Sequence, residues 1–425
     1  MGDNGPMKTL TAAQLRLADY IRPGDHIVMS EAAGEPQTLA DLLIAQRAEV
    51  DQAHLFFGIG ASTRFLPEHA DHLRFTGTGA AMTYRPLIRA GVMSVVSQHF
   101  SDLPRLLRSG QLKCDVVMIH LSPANERGEH SFGLSCDYLR AAMSQARIVI
   151  AEINDQLPQT PCAQPVLAHE IDVAIHTSRA PIEWPAPVIG ELEQRIARQV
   201  ADLIPDRATL QMGLGAMPEA LCAHLLSHRD LGIHSGMLGD GYVDLMEHGV
   251  VTNAYKEVDV GISVTGVLIG SQKLYRHVHR QPTIRLFDAD ITHGAASLSR
   301  FKRFHSVNSA LEVDLTGQVN AEAIGRDFLG TIGGQVDYVR AASLSEGGRS
   351  IIALPSTARQ SSRIVARLSG PVTTARSDVD VIVTEHGSAH LKGLSGSERA
   401  QALIRIAAPE HREGLMQQAR EDGWL

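Results

Sequence analysis

Short apolar runs recur along this chain, each closed by Gly, Pro, Ser or Asn and followed by a helical pattern, and this alternation constrains the fold more than any other feature. In the first half the runs are His26–Ser30, Leu55–Ile59, Val92–Val96, Asp115–Leu121 and Arg147–Ile153. In the second they are Leu210–Met212, Val260–Val264, Thr283–Phe287, Ser350–Leu354 and Val379–Val383. Val116–Leu121 and Ile148–Ile153 are almost continuously apolar, the pattern of strands buried on both faces of a parallel sheet. Amphipathic segments such as Gln37–Ala48 and Tyr138–Ala146 lie between them. Strand–helix alternation over the whole length predicts an α/β protein.

The chain has 425 residues, 44% of them hydrophobic, which is enough for two or three domains with ordinary buried cores. Arg179–Pro187 carries three prolines in nine residues, which disfavour helix and sheet alike. A long helical pattern, Glu191–Ile204, follows. The boundary is therefore expected within Thr177–Gly190, giving an N-terminal α/β domain over 1–185 and a C-terminal one over 186–425.

Charge and cysteine usage narrow the function classes. A net charge of −8 without a basic cluster argues against nucleic acid as the main partner. No run of about 18 apolar residues is present, so no membrane-spanning helix is expected. The opening MGDNGPMKTL lacks a basic stretch followed by an apolar one, so no signal peptide is read there. The four cysteines, Cys114, Cys136, Cys162 and Cys222, form no CxxC pair. They fit reduced thiols in a cytoplasmic protein better than a disulfide framework or a zinc site. None of the 20 histidines falls in an HExxH or comparable spacing, so no metal is expected. His277 and His279 read as part of an exposed helix, and His69 and His72 as part of a polar loop. His386 and His390, four apart after a strand, are expected to line a cleft or cap a turn.

Four segments combine turn glycines with polar groups after an apolar strand, the usual ligand position in a parallel α/β sheet. In Leu210-Gln-Met-Gly213-Leu-Gly215-Ala-Met-Pro218 a strand ends at Met212, two glycines allow a tight turn, and Pro218 sits where a helix starts. Such a turn offers free N–H groups and a positive helix end to a phosphate or carbonyl oxygen, although any strand-to-helix connection can use the same GxG. The dinucleotide fingerprint is not met, because Pro218 stands where the third glycine belongs. The second segment, Leu231–Gly249, crowds Gly236, Gly239 and Gly241 before a helix capped at Asp240. The third runs from Asn308–Glu322 to Gly330–Arg340, and the fourth is Thr384–Gly393.

Taken in order, these motifs resemble the acetyl-CoA hydrolase/transferase family. The resemblance covers most of the chain and is strongest over Leu210–Arg412, through SALEVDLTGQVNAE, GGQVDYVRAA, SIIALPSTA and DVDVIVTEHGSAHLKG; Asp115–Tyr138 adds to it. It implies two similar CoA-transferase-type α/β domains holding acyl-CoA between them. Gln211, Met212, Gly213, Leu214 and Gly215 would bind CoA, with Gly333 and Gly334 bordering the same site. The implied partners are an acyl-CoA and a small carboxylic acid, without a permanently bound cofactor, in a homodimer or dimer of dimers. In the implied mechanism a glutamate attacks the thioester, forming an acyl-glutamyl anhydride and then a glutamyl-CoA thioester, before CoA passes to the acceptor acid.

At that glutamate the chain departs from the pattern. The family reads H-[ST]-E-M, whereas this chain reads His234-Ser235-Gly236-Met237. Glu31 and Glu35, directly after the first apolar run, are possible substitutes; the alternative is that they are first-turn acids of the following helix. Three functions stay open: a CoA-transferase, an acyl-CoA hydrolase using a water activated by Glu31 or Glu35, and an inactive acyl-CoA binder. A glutamate restored at position 236 is expected to supply the missing nucleophile and to carry a glutamyl-CoA adduct, unless the backbone there is left-handed or a neighbour such as Leu238 or Tyr242 fills the space.

Overall fold

A computed structural model describes residues 7–79 and 83–425. The opening residues 1–6, where a leader was sought, lie outside the described residues. The chain forms two compact units, one running to Pro185 and including Val264–Thr292, the other comprising Ala186–Ser263 and His293–Leu425. The change of unit at Pro185 falls inside the proline-bearing stretch. The sequence boundary assigns Val264–Thr292 to the second domain; in the structure this segment folds with the first unit. Its backbone explains why: Leu268 N–H donates to Leu134 O, Leu286 N–H to Pro161 O, and Gly266 O accepts from Cys136 N–H.

The first unit is built on eight parallel strands in the order Lys8–Leu10, Val173–Thr177, Ile148–Asn154, Val116–Leu121, His26–Met29, Ala53–Phe57, Leu73–Gly77 and Met93–Val95. From His26–Met29 the chain winds outward in one direction, and from Val116–Leu121 in the other. The switch point of the sheet therefore lies between these two strands. Ile27, Leu55, Val116, Met118, Ile150 and Val173 are fully or almost fully buried in one core with Leu39 and Leu43 of the helix Gln37–Ala45. Each such side chain contributes about 1.5–3 kcal/mol relative to leaving it exposed. That helix is tied down at its start by Glu152, whose carboxylate accepts from Thr38 N–H at 2.8 Å and Leu39 N–H at 3.1 Å.

The second unit has a six-stranded sheet in the order Gly232–Ile233, Thr209–Met212, Phe304–Ser309, Arg349–Ala353, Val381–Thr384 and Gly387–His390. All neighbours are parallel except the last pair. The same winding logic puts its switch point between Thr209–Met212 and Phe304–Ser309. The apolar run Val260–Val264 predicts a strand, but only Ser263–Thr265 is extended. Asp259 and Gly261 both take positive φ, at 51° and 77°, and turn the chain there. No helix among the described residues is long and apolar enough to cross a membrane.

Candidate active site

Ligands of open α/β sheets collect outside the carboxyl ends of the strands at the switch point. In the second unit that position holds the segments singled out in the sequence. Thr209–Met212 ends in Gly213-Leu214-Gly215, and the helix Ala216–His224 starts directly afterwards. Gly215 needs its glycine, since its φ of +119° is a conformation that L side chains rarely adopt. A Cβ on Gly213 or Gly215 would meet nothing within 4 Å, so the turn faces open space. Gln211 bridges the switch point, exchanging side-chain amide hydrogen bonds of 3.0 and 3.3 Å with Asn308 on the neighbouring strand. Gly333 and Gly334 precede the helix Gln335–Leu344, and Gln335 Nε2 donates to Ser309 O at the end of that strand.

Gly236 follows the strand Gly232–Ile233 and lies at the same end of the sheet. Its neighbour Ser235 can donate from Oγ to Met212 O at 3.2 Å or to Met237 O at 2.9 Å. The backbone of Gly236 lies outside the left-handed region, so backbone strain does not explain the glycine. Crowding does. A Cβ at this position would stand 2.6 Å from His293 Nε2 and 2.9 Å from Tyr338 Oη, distances that real Cβ atoms essentially never show. A Cβ on Gly334 would likewise stand 2.6 Å from His293 Nε2. The filling groups are thus His293 and Tyr338, and the expectation of Leu238 or Tyr242 is corrected. The His293 ring packs against Tyr338 with centroids 4.8 Å apart. Burial pushes its pKa down to about 3, with His234 adding to the effect, so the imidazole is neutral at physiological pH.

Nearby, the helix Asp240–Glu247 starts after Gly239, so Asp240 is its first residue rather than its cap. Close packing explains Gly241, where a Cβ would stand 2.9 Å from Cys222 Sγ and 2.6 Å from Glu219 Oε2.

In the first unit, Glu31 stands one residue past the strand His26–Met29, at the switch point of that sheet. Glu31 and Glu35 are only 4% and 3% exposed, and the helix Gln37–Ala45 has no acid in its first turn. The alternative of solvated first-turn acids therefore fails. Glu35 is held by Arg64, with Nε 2.9 Å from Oε1, and by the Ser62 hydroxyl at 2.7–2.8 Å. Burial raises its pKa, while Ser62 and Arg64 pull the other way. Glu31 accepts from Ile59 N–H at 2.5 Å and is paired with Asp137, itself 1% exposed. Burial raises both carboxyls, that of Asp137 well above the ordinary range with Glu31 adding to the rise, while the contact with Asp137 pulls Glu31 the other way. Glu31 Oε1 and both Asp137 oxygens are buried without a hydrogen-bond partner among the described residues, an environment that favours the protonated form. Asp288 lies close by, accepts from Cys136 Sγ at 3.1 Å, and is pushed up to about 6 by burial.

The sequence reading did not single out Asp137, Glu152 or His293. Each sits in or beside an apolar stretch with no motif of its own, and only the surrounding chain gives it a role. Of the histidines considered, His69 is buried in the short helix Pro67–Asp71, and His72 pairs with Asp51 at 2.9 Å. His277 lies half-buried in the helix Gln272–Val278, with His279 just past its end. His390 ends the edge strand Gly387–His390, exposed and 3.0 Å from Arg349 Nη1. No group of three or more His, Cys, Asp or Glu suited to a metal ion occurs among the described residues.

Each unit is thus an open α/β sheet with a switch point, and comparison with known proteins gives the family. Residues 8–179 match the acetyl-CoA hydrolase/transferase N-terminal domain, and 270–419 the C-terminal domain of the same family. The chain belongs to the acetyl-CoA hydrolase/transferase family. It is 36% identical to 4-hydroxybutyrate coenzyme A transferase of Clostridium kluyveri over 403 residues, covering 93% of this chain and 94% of that one. Butyryl-CoA:acetate CoA-transferase of Anaerostipes caccae is 30% identical, with 96% of each chain covered. Among solved structures, RipA from Yersinia pestis superposes with a TM-score of 0.92 at 33% identity, over 98% of both chains. 4-Hydroxybutyrate CoA-transferase from Porphyromonas gingivalis gives 0.82 at 32%, again over 98% of both.

Proposed function

We propose that this protein moves CoA from an acyl-CoA to a small carboxylic acid. The observation that carries the reading is its likeness, over nearly the full chain, to relatives named as CoA-transferases, joined to an open Gly213–Gly215 turn at a switch point. In this reading Gln211, Met212, Gly213, Leu214 and Gly215 line the CoA site and Gly333 and Gly334 border it. The turn's N–H groups and the start of the following helix suit a phosphate or thioester oxygen.

With no side chain at Gly236, an enzyme-bound anhydride cannot form there. The carboxylate that attacks is then the acceptor's own. Its oxygen adds to the thioester carbonyl and the C–S bond breaks, giving a mixed anhydride and CoA thiolate. The thiolate next attacks the acceptor's acyl carbon and releases the original acid. Both substrates must be bound together, so initial rates should give intersecting rather than parallel double-reciprocal lines. Parallel lines with a covalent CoA adduct would overturn this route.

Hydrolysis through Glu31 or Glu35 is the second reading, and the geometry disfavours it. Glu35 is engaged by Arg64 and Ser62, and burial beside Asp137 raises Glu31, so neither is a free, solvated carboxylate base. Acetyl-CoA with and without acetate or butyrate separates the cases. Exchange that needs the acid and releases no thiol supports transfer, thiol release without acid supports hydrolysis, and neither supports a binder.

Gly213→Val tests the placement of CoA. The position has free space and an ordinary backbone, so the variant should fold with an unchanged melting temperature. Its isopropyl group would occupy the ligand's approach, and calorimetry should show CoA binding weakened at least about tenfold. Gly215→Val is the poorer test, because the φ of +119° would also strain the backbone. Unchanged CoA affinity in Gly213→Val would sink the placement.

A further inference from the structure

We propose that the first unit carries a separate binding site for a small organic anion that also bears a hydroxyl, in the cavity flanked by Arg280 and Arg285. The proposal is independent of the CoA reading, since Gln211–Gly215, Gly236 and Gly333–Gly334 all belong to the other unit. The cavity measures about 390 Å³ and is lined by residues of 125–131, which include the short strand Glu129–His130, by the loop 159–165, and by Arg280, Pro282 and Arg285 on and before the strand Ile284–Leu286. That size suits a small metabolite.

Its charges are arranged for an anion. Arg280 takes a left-handed backbone with φ 55°, a strained choice for a non-glycine residue. It is fixed there twice by Gln159, whose backbone O accepts from Arg280 N–H at 3.0 Å and whose Oε1 accepts from Nε at 2.9 Å. A neutral amide orients the guanidinium without cancelling its charge. Neither Arg280 nor Arg285 has an acidic partner among the described residues. Glu129 is the one acid in the lining, and its Oε2 accepts from Asn125 Nδ2 at 2.9 Å.

Two acceptors ask for a donor on the ligand. His130 Nδ1 lies 2.8 Å from Ser122 O. A carbonyl only accepts, so Nδ1 carries the hydrogen, which in that tautomer leaves Nε2 as the acceptor. The Glu129 carboxylate is the second. Pro161, Pro165 and Pro282 stiffen the rim, so little freedom is lost when a ligand enters. Guanidinium forks for carboxylates beside acceptors for a hydroxyl describe a hydroxy acid.

The test is calorimetry on the full chain at fixed ionic strength, with malate as the probe and succinate, glycerol and inorganic phosphate as comparators. Malate should bind saturably. Succinate, lacking the hydroxyl, should bind about tenfold more weakly, phosphate more weakly still, and glycerol not at all. Arg280→Gln, at an exposed position, should weaken malate at least about tenfold while CoA affinity stays unchanged. Arg285→Gln should do the same, and circular dichroism checks that it folds; if it does not, Arg280→Gln decides. No saturable malate binding, or malate binding indifferent to Arg280→Gln, would overturn the proposal. Succinate binding as tightly as malate would overturn the hydroxyl preference.

Discussion

Gly236→Glu alone is expected to yield a destabilised protein that forms no glutamyl-CoA adduct, although it supplies the carboxylate that the resemblance implies at this position. The obstacle is His293. Its Nε2 would stand 2.6 Å from the new Cβ, with Tyr338 Oη at 2.9 Å behind it, and both groups belong to a packed interior. Overpacking of this kind costs about 1–3 kcal/mol, or roughly 2–10 °C in melting temperature for units of this size. Adding His293→Ala removes the ring and opens the space for a carboxylate. Gly236→Glu/His293→Ala is therefore expected to recover most of the lost stability and, incubated with an accepted acyl-CoA, to carry a CoA adduct visible by intact-protein mass spectrometry. An adduct on the single variant would mean that His293 moves aside freely. A stable double variant without one would mean that the crevice has diverged beyond these two residues.

The second large effect is a dependence of stability on pH that originates in the Glu31–Asp137 pair. Both carboxyls titrate above their ordinary range in the folded protein because burial disfavours their charged forms. Above about pH 4 the unfolded chain gives up these protons while the folded chain keeps them. The folded state then binds more protons, and stability falls as pH rises until the folded pair ionises. Asp288, raised to about 6, adds to the fall between about pH 4 and 6. Asp137→Asn removes one titrating group and offers Glu31 an amide donor, and asparagine tolerates the native φ of 31° at that residue. Its melting temperature should decline less than that of the wild type as pH rises above about 4, and should exceed it at the alkaline end of the profile. His293, lowered to about 3, and Lys256, lowered by burial to about 7, also titrate, but they lie in the other unit and contribute equally to both proteins. Parallel pH profiles for the two proteins would exclude the pair as the source.

Much of the fold was legible because its signal is local. Val116–Leu121 and Ile148–Ile153 show the near-continuous apolar pattern of strands with both faces covered, and they are inner strands of the first sheet. The strand, turn and helix around Gly213 and Gly215 were equally readable, since two glycines and a first-turn proline meet a requirement set within ten residues. Val260–Val264 misled because apolar content alone does not distinguish a strand from a run broken by Asp259 and Gly261. Val264–Thr292 misled for a different reason: hydrogen bonds to residues more than a hundred positions away draw it into the first unit, and no local pattern encodes them.

The candidate site divides along the same line. By itself the sequence determined that position 236 has no side chain and therefore no nucleophile, because that is a matter of covalent structure. Only the tertiary structure decided what takes its place: a ring 57 residues further on fills the space, and Gly334 makes room for the other side of that ring. The sequence likewise put Glu31 and Glu35 after a strand, but not their state. Whether a carboxylate is a free base, an arginine partner or half of a buried acid pair depends on burial and on neighbours such as Arg64 and Asp137. Those neighbours meet it only once the sheet has formed, because electrostatic and packing interactions act through space rather than along the chain.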